Sequence, residues 1–158
     1  MQHVYWLIPG RLAGRPGPAC APWDLGELWR AGLRIIITLD ERGVDAGAVQ
    51  RAGFVHRLAE QPAIELRTFT AQQRCVDGVN EVLPFIHAQV TAARPTLVHC
   101  WAGQDRTGAT LACYLVRYAG LTADQAMARV RKVKPGAMAS LGYTDVVDLF
   151  AWQEGESR

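Results

Sequence analysis

The sequence is poor in lysine and carries almost no excess of charge. Of its seventeen basic residues only Lys132 and Lys134 are lysines, and fifteen acidic residues leave a net charge of +2. Domains that bind nucleic acids usually concentrate a much larger positive excess on one face. We therefore expect no nucleic-acid partner.

Long apolar runs are also absent. No stretch approaches the roughly 18 consecutive apolar residues that a membrane helix needs. The apolar run that begins at Val4 stops at Pro9 and has no cationic segment before it, which distinguishes it from a secretory signal peptide. We predict no stable membrane association and a cytoplasmic location.

Cysteine is scarce and dispersed. The four cysteines, Cys20, Cys75, Cys100 and Cys113, form no Cys-x-x-Cys pair and lie near no cluster of histidines. This spacing argues against a zinc site and against a disulfide framework. We expect a reduced protein that holds no metal and needs no cofactor.

The remaining composition is that of an ordinary globular protein. The chain has 158 residues, of which 49% are hydrophobic and 20% charged. A folded chain of this size buries roughly 70% of the surface that it exposes when unfolded, which is enough for its own core. We expect a single domain over residues 1–158 that acts as a monomer.

Strands and helices alternate along the first two thirds of the chain. Residues Arg34 to Leu39 are mostly β-branched and apolar at consecutive positions, which is typical of a strand covered on both faces, as in a parallel sheet. Similar patterns predict strands at Val4–Ile8, Phe54–Leu58 and Thr96–His99. They predict helices at Asp24–Arg30, Asp45–Ala52, Ala71–Ala93 and Thr107–Tyr118.

The last third is predicted to be helical. A capping box opens a helix at Thr122 that ends before Pro135, and Ser140 is expected to cap a final helix. Pro84 predicts a kink or a break in the long central helix. The glycine- and proline-rich stretch Gly10–Pro22 predicts a loop. Together these elements predict an α/β fold with a mainly parallel central sheet flanked by helices.

One segment concentrates the features of an anion site. A predicted strand ends at His99 and a predicted helix begins near Arg106. The free amides and the positive dipole end of a helix N-terminus attract anions, and Gly103 can adopt the positive φ that turns amides inward. We expect phosphate to bind against Trp101, Ala102, Gly103, Gln104, Asp105 and Arg106.

Cys100 and Arg106 supply the chemistry of this segment. Arg106 lies six residues after Cys100, and its guanidinium can bind two phosphate oxygens at once. Cysteines near cations and helix N-termini ionise more readily than free cysteine, so we expect Cys100 to be a thiolate. A thiolate beneath a tetrahedral phosphate is placed for in-line attack on phosphorus.

The segment from His99 to Gly108 resembles the Cys-x5-Arg loop of the cysteine-dependent protein tyrosine and dual-specificity phosphatases. The likeness extends over nearly the whole chain, and is greatest with the small atypical dual-specificity phosphatases: it includes Trp6–Gly14, Leu28–Leu39, Leu111–Val116 and Val130–Gly136. The resemblance implies their fold, no metal, and a phosphorylated protein or peptide as substrate.

The same resemblance implies roles for individual residues. Cys100 would be the nucleophile and would form a phosphocysteine intermediate, and Arg106 would bind and orient the phosphate. Thr107 would donate a hydrogen bond to the thiolate or to the attacking water. His99 would tune the thiolate from beneath.

The sequence departs from the family at the general acid. Related phosphatases usually carry an aspartate some thirty residues before the cysteine, whereas Ile64–Thr70 contains none and that position aligns with Thr68 or a neighbour. Asp105 resembles an acidic loop residue of bacterial and myotubularin-type members, and bound phosphate would favour its protonated form through like-charge repulsion. Glu65 is the alternative acid. Tyr143 stands where many relatives carry a glutamine that positions water.

These residues predict a phosphatase that hydrolyses phosphotyrosine monoesters, with phosphoserine and phosphothreonine also open. Asp105 leaves a phosphoinositide phosphatase as an alternative. The missing upstream aspartate leaves a weakly active phosphate-binding module as another. The spacing from Cys100 to Arg106 disfavours sulfur transfer of the rhodanese type.

The sequence leaves the position of two features open. Trp101 either lines the rim of the pocket or packs beneath the loop. The segment Asp40–Arg42 follows a predicted strand on the side where α/β proteins bind ligands, so it either borders the site or forms a simple turn. His56 and His87 are predicted to have no special role.

Overall fold

The structure is a computed structural model that describes residues 3–61 and 65–156, and in this part of the chain it contains five strands and six helices. The strands are β1 (Tyr5–Ile8), β2 (Leu12–Arg15), β3 (Ile35–Thr38), β4 (Val55–Leu58) and β5 (Thr96–His99). The helices are α1 (Leu25–Arg30), α2 (Ala46–Arg51), α3 (Phe69–Thr91), α4 (Arg106–Ala119), α5 (Ala123–Val133) and α6 (Tyr143–Glu156).

The strands form a mainly parallel sheet in the order β1-β2-β5-β3-β4. Strands β2, β5, β3 and β4 are parallel to one another, and β1 pairs with β2 in the antiparallel direction. The residues of β3 and β5 are all buried, as expected for strands with helices on both faces. The predicted α/β fold class is confirmed.

Alternating side chains of β3 divide the interior into two hydrophobic cores. Ile35 and Ile37 pack into the larger core, which α3, α4, α5 and α6 complete. Ile36 faces the opposite way and packs with Leu28 of α1 and Val49 of α2. Helices therefore cover both faces of the sheet, and the ends of the strands remain free to carry a site.

Strand β2 lies where the sequence predicted a loop, so the prediction for Gly10–Pro22 is wrong over part of its length. All four residues of β2 are buried between β1 and β5. Gly14 fits against the ring of Tyr5, since an added Cβ would lie 2.4 Å from that ring. Pairing with strands on both sides thus overrides a composition that favours a loop.

Two helical details bear on the predictions. Of the two outcomes predicted at Pro84, division into two helices is wrong: α3 continues through Pro84 as a single element of 23 residues, because one of its faces is buried along its length in the larger core. The kink stays a prediction. Helix α6 begins at Tyr143, so Ser140 lies too early to be its cap. The backbone N–H of Ser140 instead donates to Asp105 at 3.2 Å. Thr122 and Gln125 form the predicted capping box.

No helix within residues 3–61 and 65–156 combines the length and the apolar character that crossing a membrane requires.

The fit between Gly14 and Tyr5 gives a test of the buried hairpin. Substitution Gly14→Ala should lower the free energy of unfolding by about 1–3 kcal/mol, because the new methyl group overlaps the Tyr5 ring. Urea denaturation measures this change. Gly155→Ala is the matched control: an added Cβ there meets open space inside α6, and stability should stay equal or rise slightly. Equal stability of Gly14→Ala and the wild type would contradict the packing.

Candidate active site

The connection between β5 and α4 forms a tight loop around the sulfur of Cys100. Cys100 follows β5 directly and is 2% exposed. The backbone N–H of Gly103 points inward and lies 3.2 Å from Cys100 Sγ. The predicted phosphate-binding residues 101–106 therefore lie between the sulfur-bearing Cys100 and the first turn of α4, and Gly103 of this segment contacts the sulfur.

Gly103 is required at its position for two reasons. Its φ of +70° lies in the left-handed region. A Cβ at this position would also lie 2.5 Å from the backbone of Arg15. The hydroxyl of Tyr5 donates to the Gly103 carbonyl at 2.6 Å, and Gly17 N–H donates to the Trp101 carbonyl at 2.9 Å. The first two strands and the segment after them thus hold the loop in place.

Arg106 is buried at the start of α4 and is fixed on one side. Its Nη1 donates to Asp40 Oδ2 at 3.0 Å and to the Gln61 carbonyl at 2.9 Å. Among the described residues, both hydrogen bonds of the guanidinium use Nη1. The edge formed by Nε and Nη2 is therefore available for two oxygens of a bound anion.

Asp40 bridges two guanidinium groups and belongs to the site. It accepts hydrogen bonds from Arg42, the shortest from Nη2 at 2.6 Å, and from Arg106. The hydrogen bonds from Arg42 are the main reason that the pKa of Asp40 lies well below its usual range, and Arg106 adds to the effect. Of the two readings of Asp40–Arg42, the structure supports a border of the site.

His99 lies beneath the loop in a neutral form. It is fully buried, with Nδ1 3.0 Å from the Cys100 carbonyl and Nε2 2.8 Å from Thr38 Oγ1. Its ring and that of Trp23 form a T-shaped pair with a centroid distance of 5.1 Å. Burial lowers the pKa of His99 to about 4, so the ring carries no charge near neutral pH.

Thr107 is also buried, and its hydroxyl has no hydrogen-bond partner among the described residues. Buried hydroxyl groups without a partner are uncommon in folded proteins. The role predicted for Thr107, donation to the thiolate or to the attacking water, stays a prediction and would give this hydroxyl a partner.

Both candidate acids line one cleft of about 530 Å³ together with Cys100 and Arg106. Asp105 Oδ1 accepts the backbone N–H of Ser140 at 3.2 Å. Glu65 forms an exposed ion pair with Arg67 at 2.8 Å. Residues 62–64, which precede Glu65 and include the Ile64 of the predicted acid segment, lie outside the described residues.

The position aligned with the usual acid has another task in this chain. Thr68 is the N-cap of α3, and its hydroxyl accepts a hydrogen bond from the N–H of Ala71 at 3.1 Å.

Tyr143 lines the cleft, and burial raises its pKa to about 12. The phenol is therefore protonated at neutral pH and can donate a hydrogen bond.

The mouth of the cleft combines apolar and cationic side chains. Trp101 is 40% exposed and lies below the Arg42 guanidinium at 5.6 Å, so it lines the rim. Leu141 is 67% exposed and lines the same cleft. Arg42 and Arg67 add two cations that the loop sequence does not indicate. The described residues contain no group of three His, Cys, Asp or Glu side chains placed to hold a metal ion.

Comparison with known proteins gives a family for this chain. The family described as Swiss Army Knife protein, DSP-PTPase phosphatase domain, matches residues 1–145. Dual specificity protein phosphatase CDC14AB of Danio rerio is 31% identical over 96% of this chain and 26% of its own length. Phosphatidylglycerophosphate phosphatase PTPMT2 of Arabidopsis thaliana is 28% identical over 81% of this chain and 55% of its own length. This chain thus spans a quarter to about half of these two relatives.

Solved structures share the fold. Tk-PTP in its active form superposes with a TM-score of 0.80 at 21% identity, covering 96% of this chain and 98% of that one. Human DUSP28 superposes with a TM-score of 0.76 at 19% identity, covering 98% and 97%. The resemblance found in the sequence is confirmed, and the chain belongs to the DSP-PTPase phosphatase domain family.

Proposed function

We propose that this chain is a cysteine-dependent phosphatase that hydrolyses phosphotyrosine monoesters of proteins or peptides. The observation that carries the proposal is the hydrogen bond from the Gly103 N–H to Cys100 Sγ at 3.2 Å, in a loop that leads directly into α4. Arg106, fixed by Asp40, is the cation of the same loop. This arrangement supports binding of a phosphate group directly above a nucleophilic sulfur.

The first step forms the phosphocysteine intermediate. The Cys100 thiolate attacks phosphorus, a sulfur–phosphorus bond forms, and the bond to the leaving oxygen breaks. Nε and Nη2 of Arg106 hold two of the remaining phosphate oxygens. A carboxylic acid in the cleft gives its proton to the leaving oxygen, so that an alcohol or phenol departs.

The second step releases phosphate. The carboxylate left by the first step takes a proton from water, the water oxygen bonds to phosphorus, and the sulfur–phosphorus bond breaks. The buried Thr107 hydroxyl donates to the departing thiolate. The Tyr143 phenol lines the cleft where many relatives carry a glutamine, and we assign it a hydrogen bond to the attacking water.

Asp105 is our choice for the general acid, with Glu65 as the alternative. Asp105 belongs to the loop itself and is held by the Ser140 N–H, so it keeps a fixed position beside the phosphate site. Repulsion from a bound phosphate dianion would favour its protonated form. Glu65 lines the same cleft but is tied to the exposed Arg67.

A lipid phosphomonoester is the second candidate substrate. A relative named as a phosphatidylglycerophosphate phosphatase and the two rim cations Arg42 and Arg67 favour it. However, each of these cations is paired with a carboxylate, Arg42 with Asp40 and Arg67 with Glu65. The exposed Trp101 and Leu141 instead offer contact area to a flat aromatic leaving group.

The predicted absence of a nucleic-acid partner and of stable membrane association, the monomeric state and the cytoplasmic location stay predictions. So does the single domain over residues 1–158. The third reading, a weakly active phosphate-binding module, differs from an enzyme in turnover alone.

Substitution Cys100→Ser should reduce hydrolysis of p-nitrophenyl phosphate by at least about a thousandfold, because a serine hydroxyl is a far weaker nucleophile than a thiolate. Binding of tungstate, measured by calorimetry, should persist because the amides and Arg106 remain. Cys20→Ser is the matched control: Cys20 is exposed, and its loss should leave turnover unchanged. Near-normal turnover of Cys100→Ser would contradict the assignment of Cys100 as the nucleophile. If the wild-type protein binds phosphopeptide without hydrolysing it, the reading as a phosphate-binding module would be favoured instead.

Comparison of Asp105→Asn with Glu65→Gln identifies the acid. Loss of the true general acid should slow hydrolysis of poor leaving groups by about 10²–10⁴-fold and affect good leaving groups much less. Rates across a series of aryl phosphates of rising leaving-group pKa measure this dependence. We expect the steep dependence for Asp105→Asn and a flat one for Glu65→Gln. The reverse result would move the role to Glu65.

A panel of a phosphotyrosine peptide, a phosphoserine peptide and a phosphoinositide in mixed micelles tests the substrate class. We expect the highest kcat/KM for the phosphotyrosine peptide, because Trp101 and Leu141 line the cleft and would pack against its ring. Trp101→Ala should reduce this preference about fivefold to tenfold. A preference for the phosphoinositide that disappears in Arg42→Met would establish the lipid alternative instead.

A further inference from the structure

Three hydrogen bonds connect the edge strand β4 to the loop of residues 100–106, called the catalytic loop below. They end at its first peptide group, which joins Cys100 to Trp101. His56 Nε2 lies 2.8 Å from Thr38 Oγ1, and the same hydroxyl lies 2.8 Å from His99 Nε2. His99 Nδ1 lies 3.0 Å from the carbonyl of Cys100. Thr38 and His99 are fully buried, whereas His56 is half-buried as the second residue of β4.

The chemistry of the groups fixes the direction of each bond. A carbonyl oxygen can only accept, so Nδ1 of His99 carries a proton and donates it to Cys100. Because burial lowers the pKa of His99 to about 4, its Nε2 carries no proton at neutral pH and accepts. The Thr38 hydroxyl must then donate to His99, and its oxygen accepts from His56. His56 therefore carries a proton on Nε2.

We propose that His56 is a positioning residue of the catalytic loop, which acts through Thr38 to hold His99 in the tautomer that donates to the Cys100 carbonyl. The proposal rests on the proposed function, since it assigns a task within the Cys100 loop. It concerns a residue that touches neither the cleft nor the loop directly.

The opposite arrangement of protons would disturb the loop. If Nε2 of the residue at position 56 accepted, the Thr38 hydroxyl would turn toward it, and His99 would have to donate to Thr38 through Nε2. A neutral His99 would then place an unprotonated Nδ1 against the Cys100 carbonyl, so that two acceptors face each other. A second proton on the ring would avoid this contact, but burial opposes it.

The bond to the Cys100 carbonyl matters for phosphate binding because of peptide geometry. The C=O and N–H of a trans peptide point in opposite directions. A hydrogen bond that draws the Cys100 oxygen toward His99 directs the N–H of Trp101 the other way, to the side that faces the bound phosphate. The same bond fixes the residue that carries the nucleophilic sulfur.

Several other groups act on the protonation of His99. Arg15 and His56 disfavour its cationic form, and Asp40 favours it. The guanidinium of Arg15 donates to the carbonyls of Pro16 and Ala21. Thr38 remains the partner of His99 Nε2 in the structure, so that His56 reaches the ring through this hydroxyl.

Paired substitutions at position 56 test the proposal. Glutamine keeps an N–H donor near the place of Nε2, whereas glutamate at pH 8 has a similar shape but can only accept. Leu58→Glu is the control for the added charge: Leu58 is 50% exposed on the same strand and is the register partner of Thr38. Three quantities are measured: kcat for p-nitrophenyl phosphate, the pH dependence of Cys100 alkylation by iodoacetate, and the tautomer of His99 by ¹⁵N NMR.

We expect His56→Glu to lower kcat about tenfold, to move the midpoint of Cys100 alkylation to higher pH, and to remove the Nδ1–H tautomer of His99. His56→Gln should stay within about threefold of the wild type, and Leu58→Glu should match it in all three measurements. A merely structural role of His56 would change thermal stability without changing the alkylation midpoint or the tautomer.

Folded His56→Glu protein with wild-type values in all three measurements would overturn the proposal. If this variant does not fold, His56→Leu takes its place, since leucine removes the donor without adding charge; the same comparison with His56→Gln then decides. Failure of the proposed function is a separate result: it would appear as wild-type protein without turnover, whatever the tautomer of His99.

Discussion

The burial of the Arg106 guanidinium depends on Asp40. A cation removed from water is costly unless an opposite charge and hydrogen-bond acceptors compensate it. Asp40 and the Gln61 carbonyl provide both at 3.0 and 2.9 Å. These acceptors come from segments that follow β3 and β4, so the ends of two parallel strands determine where the Arg106 guanidinium lies. Arg42 completes the arrangement, since its hydrogen bonds keep Asp40 ionised through a strongly lowered pKa.

The opposite side of the loop depends on the first residues of the described chain. Tyr5 reaches the Gly103 carbonyl across the sheet edge, and its ring position requires a glycine at position 14. Backbone of Arg15 fills the space that a side chain at position 103 would need. The hairpin of β1 and β2 is therefore part of the site, although none of its residues lines the cleft.

The parts of the site that the sequence predicted are those whose signal is local. Cys100, Gly103 and Arg106 lie within seven positions of one another, and β5 has the predicted bounds Thr96–His99. The parts that the sequence missed depend on distant contacts: β2 is a strand because β1 and β5 flank it. Asp40 accepts a hydrogen bond from Arg106 because parallel pairing of the strands brings together residues that are 66 positions apart in the sequence. Its place after a buried strand was the one available signal.

The histidines also depend on contacts between residues that are distant in the sequence. His99 is predicted from its place before Cys100, but the residues that we propose set its tautomer, Thr38 and His56, lie on two other strands. No spacing in the sequence links these three residues, since the register of β5, β3 and β4 alone aligns them. His56 was therefore predicted to have no special role.

The two candidate acids differ in how firmly they are held, and this difference bears on their chemistry. Glu65 is tied to Arg67 by an ion pair in which both side chains are more than 60% exposed, and such pairs contribute little to stability. Asp105 is restrained by its place in the loop and by the Ser140 N–H. General acid catalysis requires a donor within hydrogen-bond reach of the leaving oxygen. We therefore assign the acid to Asp105, whose backbone belongs to the loop, whereas Glu65 would first have to leave its ion pair with Arg67 to donate to a leaving oxygen.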